Sequence, residues 1–303
     1  MNKRDICGVV VTYHPAANFF TRLECISRQV GAVVIVDNGS TLAITDILRA
    51  LGESPAIHVI LNFGNLGIAR ALNVGVQAAA DRGYQWVLLM DQDSHIHDDA
   101  VESLVEVFES FPEKNLLAVI GSGYEDLREN TREPIYHAAL GDLWHEVEAV
   151  ITSGSLLSLS AYAAIGPFRD EFFIDHVDRE FCLRAKAIGS RVIKTNKFLM
   201  SHSIGTPTHH QLLWTRKSTT NHSADRRYYF ARNDTVMLRE YGNYSKPGWM
   251  FKSLRRCFRT VKRIVLYEDA KADKVIAVFH GWRDGLKGNM GPRRLSSTKT
   301  RVP

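Results

Sequence analysis

The first half of the chain alternates short apolar runs with stretches in which apolar residues recur every three or four positions. Short runs rich in β-branched residues predict buried strands, and the longer spacing predicts helices with one buried face. Such alternation is typical of a mostly parallel central sheet with helices on both faces. The predicted strands cover 7–12, 32–36, 57–61 and 86–90, and the predicted helices cover 16–29, 42–51 and 66–82.

The second half follows a looser pattern and ends in a separate helical segment. An Asn-Tyr-Ser-Lys-Pro-Gly run at 243–248 breaks the chain, because proline and glycine interrupt regular structure. We therefore expect one domain over 1–242 and a basic helical extension over 243–303, ending in a disordered tail rich in Gly, Pro, Ser and Lys. The remaining predicted strands cover 116–120 and 149–151, and the remaining predicted helices cover 175–188, 249–266 and 271–286.

Composition places the chain among soluble globular proteins, with 303 residues, 45% apolar and 23% charged. No stretch is long and apolar enough to span a bilayer, and no signal peptide is recognisable, so we expect a cytoplasmic protein. The four cysteines are scattered, which predicts buried thiols in a reducing compartment rather than metal ligands or disulfides.

The net charge of +5 is unevenly distributed along the chain. Residues 241–303 hold fifteen Lys and Arg against four Asp and Glu, whereas the rest holds 23 against 29. The predicted helix 249–266 combines such cations with apolar residues, as does a helix that lies on an anionic membrane surface. A helix packed on the domain or against a second subunit, with its basic face solvated, is the alternative.

Polar residues collect where four of the predicted strands end. In sheets of this kind ligands bind outside the carboxyl ends of the strands, so four such clusters in register predict one site. No GxGxxG or GxxxxGK[ST] motif follows the first strand, which argues against a Rossmann dehydrogenase and a P-loop NTPase. The clusters run from Thr12 to Pro15, Asp37 to Ser40, Asn62 to Asn65, and Asp91 to Ser94.

The Asp91-x-Asp93 pair directly follows a predicted buried strand. Two carboxylates in this position repel each other and lose hydration, so a basic side chain or a metal ion is expected beside them. Hard oxygen ligands with open coordination positions suit Mg²⁺ or Mn²⁺ bound to the phosphates of a substrate. A turn, or a cap of the following helix at Ser94 or Asp98, is the alternative interpretation, since aspartate and serine favour both.

Four other candidate positions also have ordinary structural interpretations. Asp37 could bind a ribose hydroxyl or a base NH, or could form a turn. Asn65 and Arg70 flank the start of a helix that could face a diphosphate or could carry a plain N-cap. The carboxylates within 175–180 could cap a helix or supply a general base. His202 could be structural or a third metal ligand.

A series of motifs in this order resembles those of family 2 inverting glycosyltransferases with the GT-A fold, most closely the bacterial rhamnosyltransferase branch. The resemblance covers about residues 6–240. The shared motifs are VVTY at 10–13, VDNGS at 36–40, N-x-G-x-ARA-x-N-x-G at 65–75 and HS-x-G at 202–205. The more specific motifs are DQDS at 91–94, FID-x-VD-x-E at 173–180 and RRYY-x-x-RN at 226–233.

The resemblance implies a role for each matching residue. Asp178 would be the catalytic base, and Mg²⁺ or Mn²⁺ would bind Asp93 directly, with Asp91 and His202 completing the shell. Departures at His14 and Phe181, where relatives often have asparagine and tryptophan, leave donor and acceptor preference open. The implied donor-binding residues are Thr12, Tyr13, Asp37, Asn38, Asn65, Gly67, Arg70 and Asp91. The implied acceptor-side residues are Gly154, Ser155 and Glu180.

On this resemblance the chain is expected to be a metal-dependent inverting glycosyltransferase. It would move a sugar, L-rhamnose from dTDP-L-rhamnose, to a lipid-linked saccharide acceptor in O-antigen or capsule synthesis. Because such an acceptor stays in the bilayer, we expect a cytoplasmic protein peripherally associated with the inner membrane. A homodimer is left open.

Two other functions compete with this interpretation. A sugar-phosphate nucleotidyltransferase also uses a nucleotide-binding α/β sheet and a metal, but it needs a glycine-rich basic loop early in the chain, and none is present. A nucleic-acid-binding module could use the basic C-terminus, but it leaves the acidic strand-end cluster unexplained. We therefore expect no nucleic-acid partner.

Overall fold

The computed structural model describes the chain over most of its length. The chain forms two units, each held together by contacts among its own residues. The first unit is Met1–Asp170 with Val177–Pro207, and the second is Glu171–His176 with Thr208–Pro303. Most of the predicted break at 243–248, and the part of the predicted disordered tail after Arg293, lie outside the described residues. The described residues are 1–126, 131–132, 142–202, 208–212, 215–219, 221–241 and 248–293.

The first unit contains the sheet that the apolar runs predict, together with short 3₁₀ turns at Lys3–Asp5 and Lys114–Leu116. A third 3₁₀ turn, Asp170–Phe172, begins at Asp170, where the first segment of this unit ends. The strands of the first unit are β1 Ile6–Thr12, β2 Ala32–Asp37, β3 Ile57–Leu61, β4 Trp86–Asp91, β5 His95–Ile96, β6 Leu117–Asp126, β7 Thr131–Arg132, β8 Trp144–Glu146, β9 Ser155–Ser158 and β10 Arg191–His202. Its helices are α1 Phe19–Gln29, α2 Leu42–Leu51, α3 Ile68–Ala80, α4 Ala100–Ser110, α5 Leu159–Ile165 and α6 Val177–Ala187.

The sheet is parallel in one half and mixed in the other. Its strand order is β3-β2-β1-β4-β9-β6-β10-β5, with β7 beside β6 and β8 beside β10. The first four strands in this order are parallel, whereas β9 runs antiparallel between β4 and β6. The parallel half therefore carries all four predicted strand-end clusters.

Helices cover both faces of the parallel half. Phe19 and Leu23 of α1 belong to the buried cluster that contains Val10 of β1. Gly75 of α3 lies so close to Val9, the neighbouring residue in β1, that a Cβ there would collide with the valine side chain. Because successive strand residues point to opposite faces, α1 and α3 lie on opposite sides of the sheet, as the alternating pattern predicts.

The strand that joins the two halves lies later in the chain than predicted. The predicted strand at 149–151 is a loop, and the observed strand β9 begins at Ser155. All four residues of β9 are buried, and the backbone of the strand pairs with β4 on one side and β6 on the other. The available strand partners, rather than the apolar run alone, decide which residues become strand.

In its described residues the second unit contains three helices, one hairpin and the segment Glu171–His176. Helices α7 and α9 approach closely because α9 presents glycine to α7: a Cβ at Gly281 would collide with the Tyr228 carbonyl. Cys257 and Ile264 of α8 pack with Val278 of α9. The elements are β11 Thr208–Leu212, β12 Thr215–Thr219, α7 Ala224–Tyr241, α8 Trp249–Tyr267 and α9 Lys271–Lys287.

These units divide the chain at other places than the predicted boundary between 1–242 and 243–303. Helix α7 belongs to the predicted catalytic domain, yet in the structure it forms one unit with α8 and α9. A functional boundary at 242 stays a prediction. Within the described ranges, no helix combines the length and the apolar content needed to cross a membrane.

All four cysteines are buried, as predicted, and each is a free thiol. Burial raises the pKa of the Cys7 and Cys182 thiols to about 12 and that of Cys257 to about 11. Burial also raises the pKa of Cys25. These thiols are protonated at neutral pH, so none of them rests as a thiolate nucleophile.

Candidate active site

The predicted strand-end clusters meet at one edge of the parallel half of the sheet. The strand register pairs Thr12 with Asp37, Asp37 with Leu61, and Val11 with Asp91. The four strands therefore end side by side, and the polar loops that follow them come together. This is the position at which sheets of this kind bind ligands.

Asp37 organises the first two of these loops. Its Oδ1 accepts hydrogen bonds from Thr12 Oγ1 at 3.0 Å and Ser40 Oγ at 2.5 Å, and its Oδ2 accepts one from Ser40 N at 2.8 Å. Thr12 and Asp37 are fully buried. Their side chains hold the first two loops together, and the predicted donor-binding roles of Thr12 and Asp37 stay predictions.

Asn38 connects the second loop to the third. Its Nδ2 donates to Asn65 Oδ1 at 3.0 Å, and its Oδ1 accepts from Asn62 Nδ2 and Leu66 N, each at 3.1 Å. Asn65 Oδ1 also accepts a hydrogen bond from Gly67 N at 3.0 Å. These contacts hold the start of α3 against the neighbouring loop. The N-cap of α3 is Gly67 and no side chain caps this helix, so the N-cap alternative for Asn65 is wrong. The diphosphate role of this helix start stays a prediction.

Tyr13 and Gln92 connect the first loop to the fourth. Tyr13 N donates to Gln92 Oε1 at 2.7 Å, and Gln92 Nε2 donates to Tyr13 O at 3.0 Å. The Tyr13 side chain is 45% exposed, which leaves its ring accessible for stacking on a flat ligand. The sequence pattern did not predict a role for Gln92, which lies between the two aspartates of the DQDS motif.

Asp91 ends β4, and Asp93 lies in the tight turn that follows. Asp91 Oδ1 accepts hydrogen bonds from Ser94 N at 2.9 Å and from Ser153 Oγ at 2.9 Å, while Asp93 is exposed. The turn that was the alternative interpretation of this motif is thus present. It does not compete with ion binding, because it orients Asp91 and leaves Asp93 at the surface of the same turn.

The donor atoms of this turn fit a hard divalent cation. Within the part of the chain that the structure describes, no three His, Cys, Asp or Glu side chains form a group able to hold a metal ion. Carboxylates such as Asp91 and Asp93 suit Mg²⁺ or Mn²⁺ when phosphate oxygens and water supply the remaining ligands. His202 ends β10, but its side chain lies outside the described residues.

Arg70 forms an ion pair near the start of α3. Its Nη1 lies 2.9 Å from Asp170 Oδ2, and Asn73 Nδ2 donates to the other carboxylate oxygen at 2.6 Å. Both members of the Arg70–Asp170 pair are exposed, and such pairs contribute little to stability. Exchange of Asp170 for a diphosphate would therefore cost little. No feature of the sequence pattern indicated Asp170.

The loop at 152–155 lies between the Asp91 turn and α6. Gly154 has φ of 73°, and a Cβ there would lie 2.6 Å from Ser122 Oγ, so only glycine fits without strain. Ser155 is buried and its Oγ donates to Thr152 O at 2.7 Å. The geometry of Gly154 and Ser155 explains how the loop is built. The predicted acceptor-side contacts of these two residues stay a prediction.

Asp178 is the second residue of α6 and is partly buried. Its Oδ1 accepts a hydrogen bond from Arg179 N at 2.7 Å. Asp178 lines a small apolar cavity together with Thr152 and Ser155. The same loop contains Ser153, whose hydroxyl donates a hydrogen bond to Asp91. One loop therefore contacts the Asp91 turn and the neighbourhood of Asp178.

Glu180 is buried and paired within the protein, and its predicted acceptor-side role stays a prediction. It is fully buried, and its two carboxylate oxygens accept hydrogen bonds from Arg184 Nε at 2.8 Å and Nη2 at 3.0 Å. Arg184 in turn donates to the carbonyls of Ile165 and Pro167. The pair thus ties α6 to the loop after α5. Its spacing of four residues on a helix was a signal for this pairing in the sequence.

We expect Glu180→Gln to reduce the free energy of unfolding by about 2 kcal/mol, because it leaves the Arg184 charge without its partner in a largely buried place. Urea denaturation measures this. Glu148→Gln, which removes an exposed partner of Arg179, is the matched control and should change stability by under about 0.5 kcal/mol. A raised KM for the acceptor with an unchanged free energy of unfolding would instead support the predicted acceptor-side role of Glu180.

Comparisons with known proteins agree with this geometry. Residues 9–166 match the family described as Glycosyl transferase family 2. A curated relative, dTDP-rhamnosyl transferase RfbF of Shigella flexneri, is 27% identical over 248 residues, which are 78% of this chain and 80% of the relative.

Two solved structures resemble this one over nearly the whole chain. S. aureus TarS 1-349 in complex with UDP-GlcNAc aligns with a TM-score of 0.60 at 15% identity, covering 94% of this chain and 81% of that chain. The mannosyltransferase PcManGT from Pyrobaculum calidifontis, in complex with GDP-Man and Mn²⁺, aligns with a TM-score of 0.59 at 13% identity, covering 94% and 88%. At these identities the likeness shows the fold alone.

Proposed function

The chain belongs to glycosyl transferase family 2 and has the GT-A fold, and from this premise we propose that it transfers L-rhamnose from dTDP-L-rhamnose to a saccharide acceptor. That it is a glycosyltransferase follows from the family. The choice of L-rhamnose is supported by the similarity to a protein named as a dTDP-rhamnosyl transferase. The acceptor that we propose is a lipid-linked saccharide of O-antigen or capsule synthesis.

The observation that carries the proposal is the edge where four strand-end loops meet around the Asp91–Asp93 turn. The exposed Tyr13 ring is suited to the base of a nucleotide, and the start of α3 with Arg70 is suited to the diphosphate. Asp91 and Asp93 would hold Mg²⁺ or Mn²⁺, which when bound supplies positive charge to the departing diphosphate.

The proposed reaction is a single displacement with inversion. Asp178 accepts the proton of the acceptor hydroxyl, whose oxygen attacks the anomeric carbon on the face opposite the nucleotide. The bond from that carbon to the diphosphate oxygen breaks, and the nucleoside diphosphate leaves with the electron pair. Positioning of the two substrates supplies much of the rate enhancement, because no covalent intermediate with the enzyme forms.

The proposal is tested by incubating the purified full chain with a panel of nucleotide sugars, Mg²⁺ or Mn²⁺, and lipid-linked saccharide acceptors. We expect release of dTDP that depends on the acceptor, with dTDP-L-rhamnose as the best donor. A different best donor would overturn the choice of sugar. Release of pyrophosphate from a nucleoside triphosphate and a sugar phosphate would favour a nucleotidyltransferase instead.

We further propose that α8 attaches the enzyme to the cytoplasmic face of the inner membrane. One side of α8 packs within the second unit: Ser253 Oγ lies 3.1 Å from Thr235 Oγ1, and Cys257 and Ile264 are buried. The predicted alternative of a packed helix is therefore correct for this side. The outward side remains exposed.

The exposed side of α8 combines an apolar stripe with cations. Phe251, Phe258 and Val265 recur every seven residues, so they share one face, and Phe251 and Phe258 are 68% and 57% exposed. The neighbouring exposed cations are Lys252, Arg255, Arg259, Lys262 and Arg263. Apolar side chains that insert beside cations suit a surface of anionic phospholipid, where each cation contributes about 1 kcal/mol.

We expect Phe251→Ser combined with Phe258→Ser to weaken binding to vesicles of anionic phospholipid by at least about tenfold, because two exposed rings no longer insert. Vesicle flotation at low salt measures this. Leu42→Ser combined with Ile47→Ser removes two exposed apolar side chains from α2 and is the matched control, expected to bind normally.

Equal binding by both double variants, or no binding by the wild type, would overturn the membrane proposal. A change from dimer to monomer in the α8 variant, without any vesicle binding by the wild type, would assign the stripe to a second copy of the chain instead. Light scattering of the same samples distinguishes these outcomes.

A further inference from the structure

Residues 173–176, the first half of the FID-x-VD-x-E motif, contact the RRYY-x-x-RN motif within the second unit. Arg226 Nη2 of α7 lies 3.1 Å from Asp175 Oδ1. One turn further along α7, the Tyr229 ring stacks on Phe173, with ring centroids 4.6 Å apart and planes 14° from parallel. Residues three apart on a helix share a face, so α7 presents these side chains to the segment 171–176 together.

Asn233 continues this face of α7 and holds the backbone of the segment. Its Nδ2 donates to the carbonyl oxygens of Phe172 at 2.9 Å, Ile174 at 2.8 Å and Asp175 at 3.0 Å. The amide group has two hydrogens, so these three carbonyls share them. One fully buried side chain thus gathers three carbonyls of a four-residue stretch.

Arg232 holds the preceding part of the segment and also holds Asn233. It is fully buried, and its Nη2 donates to the carbonyls of Glu171 at 2.7 Å and Phe172 at 3.1 Å. Its Nε donates to Asn233 Oδ1 at 3.0 Å, which fixes the orientation of the amide.

The segment that these residues hold has an unfavourable backbone conformation. Phe173, Asp175 and His176 have φ angles of 65°, 65° and 63°, in the left-handed region that residues with a Cβ rarely adopt. Such a conformation persists only where the surroundings over-determine it. The segment ends two residues before Asp178, with Val177 between them.

We propose that Asn233, supported by Arg232, is a positioning residue that fixes the strained segment and so the direction in which the chain begins α6 and presents Asp178. The inference rests on the proposed function, in which Asp178 is the general base. Without the amide donors, the left-handed residues relax toward ordinary backbone angles and the carboxylate is displaced. A displacement of about 1 Å can cost a hundredfold in rate.

The test compares Asn233→Ala and Asn233→Asp with wild type. Asn233→Asp keeps the oxygen that binds Arg232 and loses the amide donors, so it serves where Asn233→Ala does not fold. We expect kcat to fall about 10- to 100-fold, with the KM for the donor and the Kd for nucleoside diphosphate within about twofold of wild type.

Thr235→Val is the matched control. Thr235 is buried on the same helix and bonds Ala231 O at 2.8 Å and Ser253 Oγ at 3.1 Å, but its hydrogen bonds do not involve the segment. We expect Thr235→Val to lower the melting temperature and keep kcat. An equal fall of kcat in Thr235→Val would show that Asn233 affects the rate only by stabilising the fold, and would overturn the positioning role.

A double-mutant cycle separates this inference from the proposed function. If Asn233 acts through Asp178, Asn233→Ala lowers kcat by less than about twofold in an Asp178→Asn background. Unchanged kcat in both Asn233 variants, or multiplication of the two effects, overturns the positioning role while leaving the transferase intact. A wild-type protein that transfers no sugar overturns the proposed function itself.

Discussion

Asp178→Asn is expected to lower the rate of sugar transfer at saturating substrates by roughly 10²- to 10⁴-fold, because an amide cannot accept the proton of the acceptor hydroxyl. Binding of the donor should persist, since the substitution preserves shape and the proposed donor loops lie after other strands. Steady-state kinetics with a lipid-linked acceptor measures kcat, and titration with nucleoside diphosphate measures donor-site affinity.

Asp225→Asn is the control for the loss of a negative charge at a helix start. Asp225 and Asp178 both lie in the first turn of their helices, where a carboxylate favours the helix. We expect Asp225→Asn to keep kcat. If Asp178→Asn instead lost donor affinity and retained its rate at saturation, Asp178 would belong to donor binding and the base would be another residue.

Asp93→Asn is expected to abolish metal-dependent turnover while leaving the free energy of unfolding nearly unchanged. The side chain is exposed on the turn after β4, so a carboxamide fits there, but it lacks the negative charge that attracts a hard cation. Transfer assays across a Mn²⁺ titration measure the effect, and urea denaturation confirms folding.

Asp98→Asn removes an exposed carboxylate five residues further along the same connection and should remain fully active. The wild type should lose activity in excess EDTA and recover it on addition of Mg²⁺ or Mn²⁺. Full activity of Asp93→Asn at limiting Mn²⁺, together with resistance of the wild type to EDTA, would contradict a role for Asp93 in metal binding.

Local pattern determined most of the parallel half of the sheet. The predicted strands at 32–36 and 57–61 and the predicted helix at 42–51 agree with β2, β3 and α2 to within a residue. The reason is that residues buried on both faces of a parallel strand form a continuous apolar run, whereas helices repeat every three to four residues. Because parallel strands end at the same edge, the pattern also predicted where polar loops would meet.

Long-range pairing was decided by the tertiary structure. Ser153, 62 residues from Asp91, supplies the hydroxyl that orients it, and no local periodicity carries that information. The strand that corresponds to β9 was predicted too early in the chain for the same reason. The backbone hydrogen bonds of β9 are made to two strands, β4 and β6, that are distant in sequence. Glu180 shows the opposite case, because its partner Arg184 was visible at a spacing of four.

The pattern of apolar and polar residues was enough to predict which side chains stand at the strand ends, and the ordered motifs indicated the family. The packing of distant segments decided that Asp37 is fully buried and bonded to Thr12, and that Asn233 gathers the carbonyls before Asp178. The physical reason is that the spacing of residues along a chain reports which face each occupies. The partners that satisfy a buried polar group are set by how distant segments pack.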